Sequence, residues 1–254
     1  MRFCSLGSGS TGNGWLVESG GTCVLVDCGM GIEKLTLRLG EAGVDPQQIA
    51  AILITHEHDD HVCGAASFSR RFQIPVYATY GTVRAAGAVL DGVHRLCELE
   101  PSARFAIDAI EVLAVAVPHD AREPVQYVLG DGAVRVGVIT DLGSLSAHVL
   151  ASYRELDALV LEANHDEEML RQGPYPKFLK ERVGGRYGHL SNELAATFLA
   201  AVANGRLQHV VAAHLSLKNN TAALARTALA DALGCSADWI GVASDSGLGW
   251  RQVA

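Results

Sequence analysis

Short apolar runs separated by turn residues dominate the first thirty residues of the chain. The runs RFCSL, NGWLVES and TCVLVDC have the length and the boundaries that are typical of short strands. Gly20-Gly21, between the second and third runs, is a hairpin signal. Residues 126–140 contain two more strand-like runs joined at Asp131-Gly132, another strong hairpin signal. The pattern therefore predicts antiparallel strand pairs at two separate places in the chain.

The rest of the chain alternates buried strands with amphipathic helices. Strands are predicted over 50–55, 74–78, 110–118, 158–163, 209–214 and 238–244, the last of these being the final strand. Helices are predicted over 62–72, 80–90, 191–204 and 220–234. A short helix is predicted to open at Gln47, with Asp45 as its cap and Pro46 at its first position. Ser191 is expected to cap the helix over 191–204, and Gly205 to end it.

Two mixed sheets packed together and covered by helices, an αββα sandwich of the α/β class, satisfy this order of elements. A doubly wound parallel sheet is the alternative, and the consecutive N-terminal strands and the second hairpin count against it. Neither a linker nor an internal repeat interrupts the pattern, so we expect one continuous domain over 1–254.

The composition narrows the class of protein. With 49% hydrophobic and 19% charged residues, the chain is too apolar for disorder. No apolar run reaches the ~18 residues of a membrane span, and the start MRFCSLGSGS lacks the apolar segment of a secretory signal. We therefore expect a cytoplasmic protein with reduced cysteines and no membrane partner. The net charge of −8 argues against a protein that coats nucleic acid, but not against a nuclease with a local positive field.

The residues THEHDDH at 55–61 concentrate metal-ligating side chains directly after an apolar strand. Imidazoles suit zinc, manganese or iron, and carboxylates suit the harder of these ions. In an extended loop, His56 and His58 point to one side, while Asp60 and His61 turn away toward the following helix. One short segment is therefore able to serve two neighbouring ions, and a solvated acidic loop with incidental histidines is the less favoured alternative.

This His-x-His-x-Asp-His motif after a strand resembles the signature of the metallo-β-lactamase fold. Further residues that the family requires are matched by His119 in VPHDA, Asp141 in VITDLG and His214 in AAHLS. The resemblance implies the following ligand sets, each of three residues: His56, His58 and His119 for one ion, and Asp60, His61 and His214 for the other. It also implies that Asp141 bridges the two ions. We further expect Asp27 to orient the His-rich loop from outside the ligand set, with an ordinary turn aspartate as the alternative.

Shorter motifs along the whole chain resemble the small bacterial YycJ/WalJ group of this fold. They are LGSGSTGN (6–13), VDCG (26–29), PHDAREP (118–124), LEANHD (161–166), GHLSN (188–192) and HLSLKNN (214–220). The group is associated with 5′-to-3′ exonuclease action on DNA. Glu162 and His189 resemble the Glu-containing strand end and the His-Ser helix start of the larger RNA-processing enzymes of this fold. We expect the two residues to form a pair near the reacting phosphate, with His165 as a rival for the role of His189.

Candidate substrate-binding residues lie in the glycine-rich loop and near the later motifs. The loop at 7–13 offers backbone N–H groups and the side chains of Ser8, Ser10 and Asn13, although a tight connection between two strands explains it equally well. Ser191 and Ser216 are the remaining candidates. The basic stretch KFLKERVGGR (177–186), flanked by Tyr175 and Tyr187, is typical either of a track for a nucleic-acid backbone or of a solvated helix face.

We therefore expect a hydrolase with two divalent ions, Zn²⁺ or Mn²⁺ with iron as a further option, acting on DNA ends or another phosphodiester. The two ions are expected to share a hydroxide that attacks phosphorus in line, with Asp60 helping to position it. One alternative is a small-molecule metallohydrolase for a thioester, a lactone, a β-lactam or a cyclic nucleotide. Another is a metal-dependent redox or sensing protein on the same fold. The sequence leaves the oligomeric state open.

Overall fold

A computed structural model describes all residues, 1–254, and contains two seven-stranded mixed sheets. The strands of the first sheet are β1 (Arg2–Gly7), β2 (Gly14–Ser19), β3 (Thr22–Val26), β4 (Ile49–Leu53), β5 (Pro75–Thr79), β6 (Arg95–Leu99) and β14 (Leu248–Gln252). Those of the second are β7 (Arg104–Ile107), β8 (Ile110–Ala116), β9 (Val125–Gly130), β10 (Arg135–Ile139), β11 (Ala158–Glu162), β12 (His209–Ala213) and β13 (Gly241–Val242). The first sheet has the order β14-β1-β2-β3-β4-β5-β6 and the second the order β13-β12-β11-β10-β9-β8-β7.

Nine α-helices cover the sheets or connect their strands. They are α1 (Ile32–Glu41), α2 (Asp59–Val62), α3 (Ala65–Phe72), α4 (Tyr80–Ala86), α5 (Ala147–Ser152), α6 (Glu167–Gln172), α7 (Lys177–Val183), α8 (Asn192–Val202) and α9 (Ala222–Leu233). None of these helices has the length and apolar character needed to cross a bilayer.

Three hydrophobic clusters define the layers. The central cluster of 24 buried residues, including Phe3, Trp15 and Tyr127, joins the inner faces of the two sheets. A second cluster packs α8 and α9 onto the second sheet through residues such as Phe198 and Leu229. A third, with Leu35 and Phe68, packs α1 and α3 onto the first sheet. The αββα sandwich predicted from the sequence is therefore confirmed.

Both predicted hairpins are present, since β2 pairs antiparallel with β3, and β9 with β10. Each sheet then changes to parallel pairing, in β3 to β6 of the first and in β10 to β13 of the second. Because parallel strands share their direction, the carboxyl ends of β3 and β4, and those of β10, β11 and β12, lie at one edge of each sheet. That edge of the sandwich carries the candidate site.

The sequence prediction was wrong for part of residues 238–244. Ala237–Trp239 forms a 3₁₀ helix, β13 has only two residues, and the final strand is β14 on the other sheet. The helix predicted over 80–90 ends at Ala86 and continues only as a 3₁₀ turn. Tertiary pairing decides these boundaries, because local apolar content does not distinguish a short sheet edge from a helical turn.

The helix caps agree better with the prediction. Asp45 caps a 3₁₀ turn with Pro46 at its first position, and Ser191 caps α8 by accepting a hydrogen bond from the Leu194 N–H. Helix α8 ends at Val202, shortly before Gly205.

Candidate metal centre

The seven predicted ligands lie together at the carboxyl edge of the two sheets. The loop after β4 supplies His56 and His58, and the short helix α2 that follows it supplies Asp60 and His61. The other three ligands follow β8, β10 and β12. His119, Asp141 and His214 are each less than 5% exposed. Loops at the end of a rigid sheet hold side chains at fixed positions, which is the usual setting for a functional site.

The first group contains His56, His58 and His119. Nδ1 of His58 lies 3.0 Å from Nε2 of His56 and 3.4 Å from Nε2 of His119. The three ring nitrogens therefore converge on one point and could hold a metal ion. Burial lowers the pKa of His56 well below its ordinary value and that of His119 to about 4. These two imidazoles are uncharged at neutral pH, the form in which imidazole binds a metal.

The second group contains Asp60, His61 and His214. Oδ2 of Asp60 lies 3.2 Å from Nε2 of His214 and 3.4 Å from Nε2 of His61. Burial disfavours the charged form of the His214 imidazole, but the negative charges of Asp141 and Asp60 outweigh this effect and raise the pKa of His214 to about 9. Burial alone would raise the pKa of Asp60, but its interactions with His61 and His214 outweigh this effect and lower that pKa.

Asp141 lies between the two groups. Its Oδ2 is 3.1 Å from Nε2 of His61, while its Oδ1 is 3.7 Å from Nε2 of His119 and 3.8 Å from Nε2 of His214. Oδ2 is buried and has no hydrogen-bond donor. A buried carboxylate oxygen without a partner is costly, and a cation shared with the facing imidazoles would satisfy it. The side chains present therefore fit divalent metal ions.

Contacts outside the ligand set fix the orientation of the imidazoles. Nδ1 of His61 donates to Oδ2 of Asp27 over 2.7 Å, and Nδ1 of His119 donates to the Gly188 carbonyl over 3.0 Å. In each ring this leaves Nε2 directed at the site, as metal-ligating histidines require. Asp27 is fully buried, and its Oδ1 also accepts the N–H and hydroxyl of Thr55.

The backbone at the site is held in conformations that most residues avoid. Asp27 has φ 62° and His214 has φ 53°. Both positions belong to the left-handed region, which persists only where surrounding contacts determine it. A Cβ added to Gly29 would lie 1.7 Å from the carbonyl oxygen of Asp60, so only glycine lets the turn after β3 approach the ligand loop.

Glu162 and His189 form the predicted pair beside the metal groups. Nδ1 of His189 lies 2.6 Å from Oε1 of Glu162, whose Oε2 accepts the N–H groups of Leu142 and Leu190 over 2.8 and 3.2 Å. The His189 ring stacks on that of His214 at a centroid distance of 5.3 Å. Burial opposes protonation, but the charge of Glu162 outweighs it and raises the pKa of His189. The ring is therefore held with Nε2 free.

A cleft of about 170 Å³ opens beside these residues. His189 and His214 form its inner end, and the side walls come from the N-terminal loop, from 175–183 and from 215–216. Tyr175, Leu179 and Arg182 line it, so part of the basic stretch borders the site instead of lying entirely on a solvated face.

The predicted substrate-binding residues separate into two sets. Ser10 and Ser216 line the cleft. Ser8 is buried and its hydroxyl accepts the His214 N–H over 2.8 Å, while the buried Asn13 donates to the carbonyl and carboxylate oxygens of Asp60. Ser191 is also buried, and it caps α8. The structure therefore brings only Ser10 and Ser216 to the cleft, and Ser8 and Asn13 instead hold the ligands.

Two further residues at the site were not identified from the sequence. The Asn164 amide donates to the His214 carbonyl over 2.9 Å, and Asp120 lines the cleft next to His119. Their positions within the LEANHD and PHDAREP motifs were the available signal.

We expect the Asp27→Ala variant to bind metal about 10–100-fold more weakly, the usual cost of removing a carboxylate that orients a ligating histidine. The variant leaves His61 without its acceptor and the Thr55 N–H without a partner. Zinc titration against a competing chelator measures the change. Asp27→Asn, which keeps an acceptor oxygen for Thr55, should lose less affinity. Equal affinity in Asp27→Ala and the wild type would contradict this role.

Comparison with known proteins identifies relatives that match most of the chain, including the candidate metal centre. Residues 22–214 match the family model described as "Beta-lactamase superfamily domain". The chain is 34% identical over 241 residues to exodeoxyribonuclease YycJ of Bacillus anthracis, covering 92% of this chain and 89% of that one. It is 32% identical over 239 residues to exodeoxyribonuclease WalJ of Streptococcus pneumoniae serotype 2 (strain D39 / NCTC 7466), with 92% and 88% covered. Its fold is similar to the metallo-beta-lactamase fold protein YhfI from Bacillus subtilis, at a TM-score of 0.77, 16% identity and 99% coverage of both chains.

Proposed function

Because the chain belongs to the β-lactamase superfamily and, within it, to the group of the exodeoxyribonucleases YycJ and WalJ, we propose that it is a metal-dependent nuclease with two divalent ions. The observation that carries this proposal is the convergence of two imidazole-rich groups on Asp141, whose buried Oδ2 has no other partner. Its finer form is a 5′-to-3′ exonuclease that acts on DNA in the cytoplasm. The location rests on the sequence alone.

The residues proposed to hold the ions are the two groups of three with Asp141 between them. When bound, two such ions supply a nucleophilic water at neutral pH and neutralise charge on the phosphate. The mixed nitrogen and oxygen donors of these groups suit zinc or manganese, with iron as the third candidate. Asp60, 22% exposed at its side chain, is the carboxylate of the set that lies nearest to solvent and so helps to orient the attacking water.

His189 is the proposed proton donor for the leaving oxygen. Its Nδ1 is bound to Glu162 and its ring lines the cleft, so Nε2 is the atom available to substrate. Glu162 is wholly buried and held by two backbone N–H groups, which fixes the orientation of the imidazole. A general acid in this position typically accelerates a reaction about 10²–10⁴-fold.

The walls of the cleft favour a nucleic-acid substrate over a small apolar molecule. A cleft of about 170 Å³ is smaller than the ~300–1,000 Å³ typical of small-molecule pockets, so most of a substrate would lie outside it. Outside, Nζ of Lys218 lies 5.6 Å from the ring centroid of Tyr175, which itself lines the cleft. A cation beside an aromatic ring suits a phosphate next to a stacked base. Lys218 thus places a positive charge at the rim of the cleft in a chain whose net charge is −8.

A panel of substrates tests the proposed function. We expect hydrolysis of 5′-phosphorylated DNA and of an aryl phosphodiester with Mn²⁺ or Zn²⁺, and none of a thioester or lactone. The same panel includes single-stranded DNA, blunt duplex and RNA, which decides the finer form. Hydrolysis of the thioester alone would overturn the nuclease assignment in favour of a small-molecule metallohydrolase.

Replacing Tyr175 by Ala should raise KM for single-stranded DNA, because stacking of a base on an aromatic ring is worth about 1–3 kcal/mol. That range corresponds to roughly 5–150-fold in KM, since about 1.4 kcal/mol is tenfold. Hydrolysis of an aryl phosphodiester, which has no nucleobase, should keep its kcat and KM. Trp239→Ala is the matched control, because this 41% exposed aromatic residue precedes β13, at the amino ends of the parallel strands. An unchanged KM for DNA in Tyr175→Ala would exclude a stacking role.

A further inference from the structure

In the first metal group, His58 is the imidazole whose outer ring nitrogen makes no hydrogen bond to the surrounding protein. In His119 and His61 the nitrogen that points away from the site is hydrogen-bonded to a carbonyl or carboxylate, and Nδ1 of His56 lies 2.9 Å from the Thr55 hydroxyl. His58 is turned the other way, with Nδ1 toward the site and Nε2 outward. At 28% exposure its side chain is also the least buried of the three in its group.

Asp120 is the one carboxylate within 4 Å of Nε2 of His58. Its Oδ1 lies 3.8 Å from that atom and 3.4 Å from Nε2 of His119. Oδ1 is buried and has no hydrogen-bond donor in the structure. The separation from His58 is too long for a hydrogen bond as it stands. The carboxylate therefore has an unsatisfied oxygen directed at the first metal group.

Arg182 fixes the other oxygen of the same carboxylate. Nε of Arg182 donates to Oδ2 of Asp120 over 2.5 Å. Arg182 belongs to α7, which forms a wall of the cleft. The ion pair thus orients Asp120 with Oδ1 toward the imidazoles, and it joins the wall of the cleft to the first metal group.

We propose that Asp120 is a positioning residue of the first metal group, whose Oδ1 accepts the Nε2–H of His58 when the three imidazoles hold an ion, and that Arg182 orients this carboxylate. The inference rests on the proposed metal centre. A carboxylate that accepts from the outer nitrogen of a ligating histidine fixes its tautomer and makes the ring a stronger ligand. His58, which has no other acceptor and is partly exposed, is the ligand that most needs such a partner.

Metal titration without substrate tests the proposal, so that its outcome does not depend on which substrate the enzyme cleaves. In Asp120→Asn we expect one of the two Zn²⁺ ions to bind about 10–100-fold more weakly and the other to be unaffected. Arg182→Gln should weaken the same ion by a smaller factor, because the carboxylate remains but is no longer held. Asp59→Asn is the matched control, since this exposed carboxylate is the first residue of α2, directly after His58, and the variant should bind both ions as the wild type does.

Nuclear magnetic resonance of the histidine side chains gives a second readout. In the zinc-loaded wild type, His58 should carry its proton on Nε2 and exchange it slowly with solvent, and Asp120→Asn should speed that exchange. If Asp120→Asn does not fold, Asp120→Glu, which keeps the charge but displaces it, is measured in the same way. It should bind the affected ion more weakly than the wild type and exchange the His58 proton faster. Wild-type zinc affinity and slow exchange in Asp120→Asn would overturn the proposal. The proposal would also be overturned if Asp120→Asn and Arg182→Gln lost the same thermal stability while both still bound zinc as the wild type does. Asp120 would then serve only to anchor α7.

Discussion

Asp141→Ala is expected to lose bound metal and activity together. The carboxylate lies between both groups, within 3.1–3.8 Å of ligand nitrogens from His61, His119 and His214. Its removal leaves two neighbouring cations with less negative charge to balance them, and it removes a donor from each site. Since metal ions supply several kcal/mol of the stabilisation of the transition state, the loss of activity should be on the order of 10³-fold or more.

Metal analysis after exhaustive dialysis checks this expectation, with two ions per chain in the wild type and fewer in the variant. His58→Ala is the comparison, because this residue belongs to the first group alone and should reduce only that occupancy. Two full ions in the Asp141→Ala protein would contradict the bridging role. Retention of activity with loss of one ion would show that a single ion suffices.

The positions of the candidate ligands could be predicted because each follows an apolar strand at a recognisable motif. Asp141 and His214 follow β10 and β12, whose parallel pairing through β11 carries their carboxyl ends to one edge. His119 follows β8, which runs in the same direction because it and β10 both pair antiparallel with β9. Strand order and strand direction alone bring such residues together. The family resemblance singled out these residues, and the pattern of strands agrees with it because each of them follows an apolar run.

The contacts of the N-terminal loop could not be predicted in the same way. Ser8 and Asn13 carry groups that suit a phosphate, but their partners are the His214 N–H and the oxygens of Asp60, far along the chain. Which polar group faces a ligand and which supports the protein depends on long-range packing. The close approach of the turn at Gly29 to the Asp60 carbonyl, which leaves no room for a Cβ, is another feature of this kind.

Two of the elements that the sequence did not predict, α1 and β14, have different physical explanations. Helix α1 carries its buried residues Leu35 and Leu39 four positions apart, so a helical signal was present but short. Strand β14 lies at the edge of the first sheet and has no fully buried residue. Its alternation is limited to the partly buried Leu248 and Trp250, which is too short a side-chain pattern to predict a strand.

His189→Ala should retain both ions and lose activity on DNA by about 10²–10⁴-fold, the usual contribution of a general acid. The residue lies outside the two groups of three and Asp141, and its Nε2 is free because Nδ1 is held by Glu162. The charge of Glu162 raises the pKa of His189 against the effect of burial, which favours the protonated imidazole that a general acid requires. Glu162→Gln should lose part of the same activity, because the amide supports the charged imidazole less well.

The comparison of two substrates separates proton donation from phosphate binding in the His189→Ala variant. An aryl phosphodiester has a leaving group that needs little protonation, so its hydrolysis should survive better than that of DNA. His165 provides the control, since burial lowers its pKa to about 4 and the ring is uncharged at neutral pH, not the imidazolium that a general acid requires. His165→Ala, measured at a temperature where it is folded, should keep its activity on DNA. An equal loss on both substrates in His189→Ala would assign the imidazole to phosphate binding, and full activity on DNA would remove it from the mechanism.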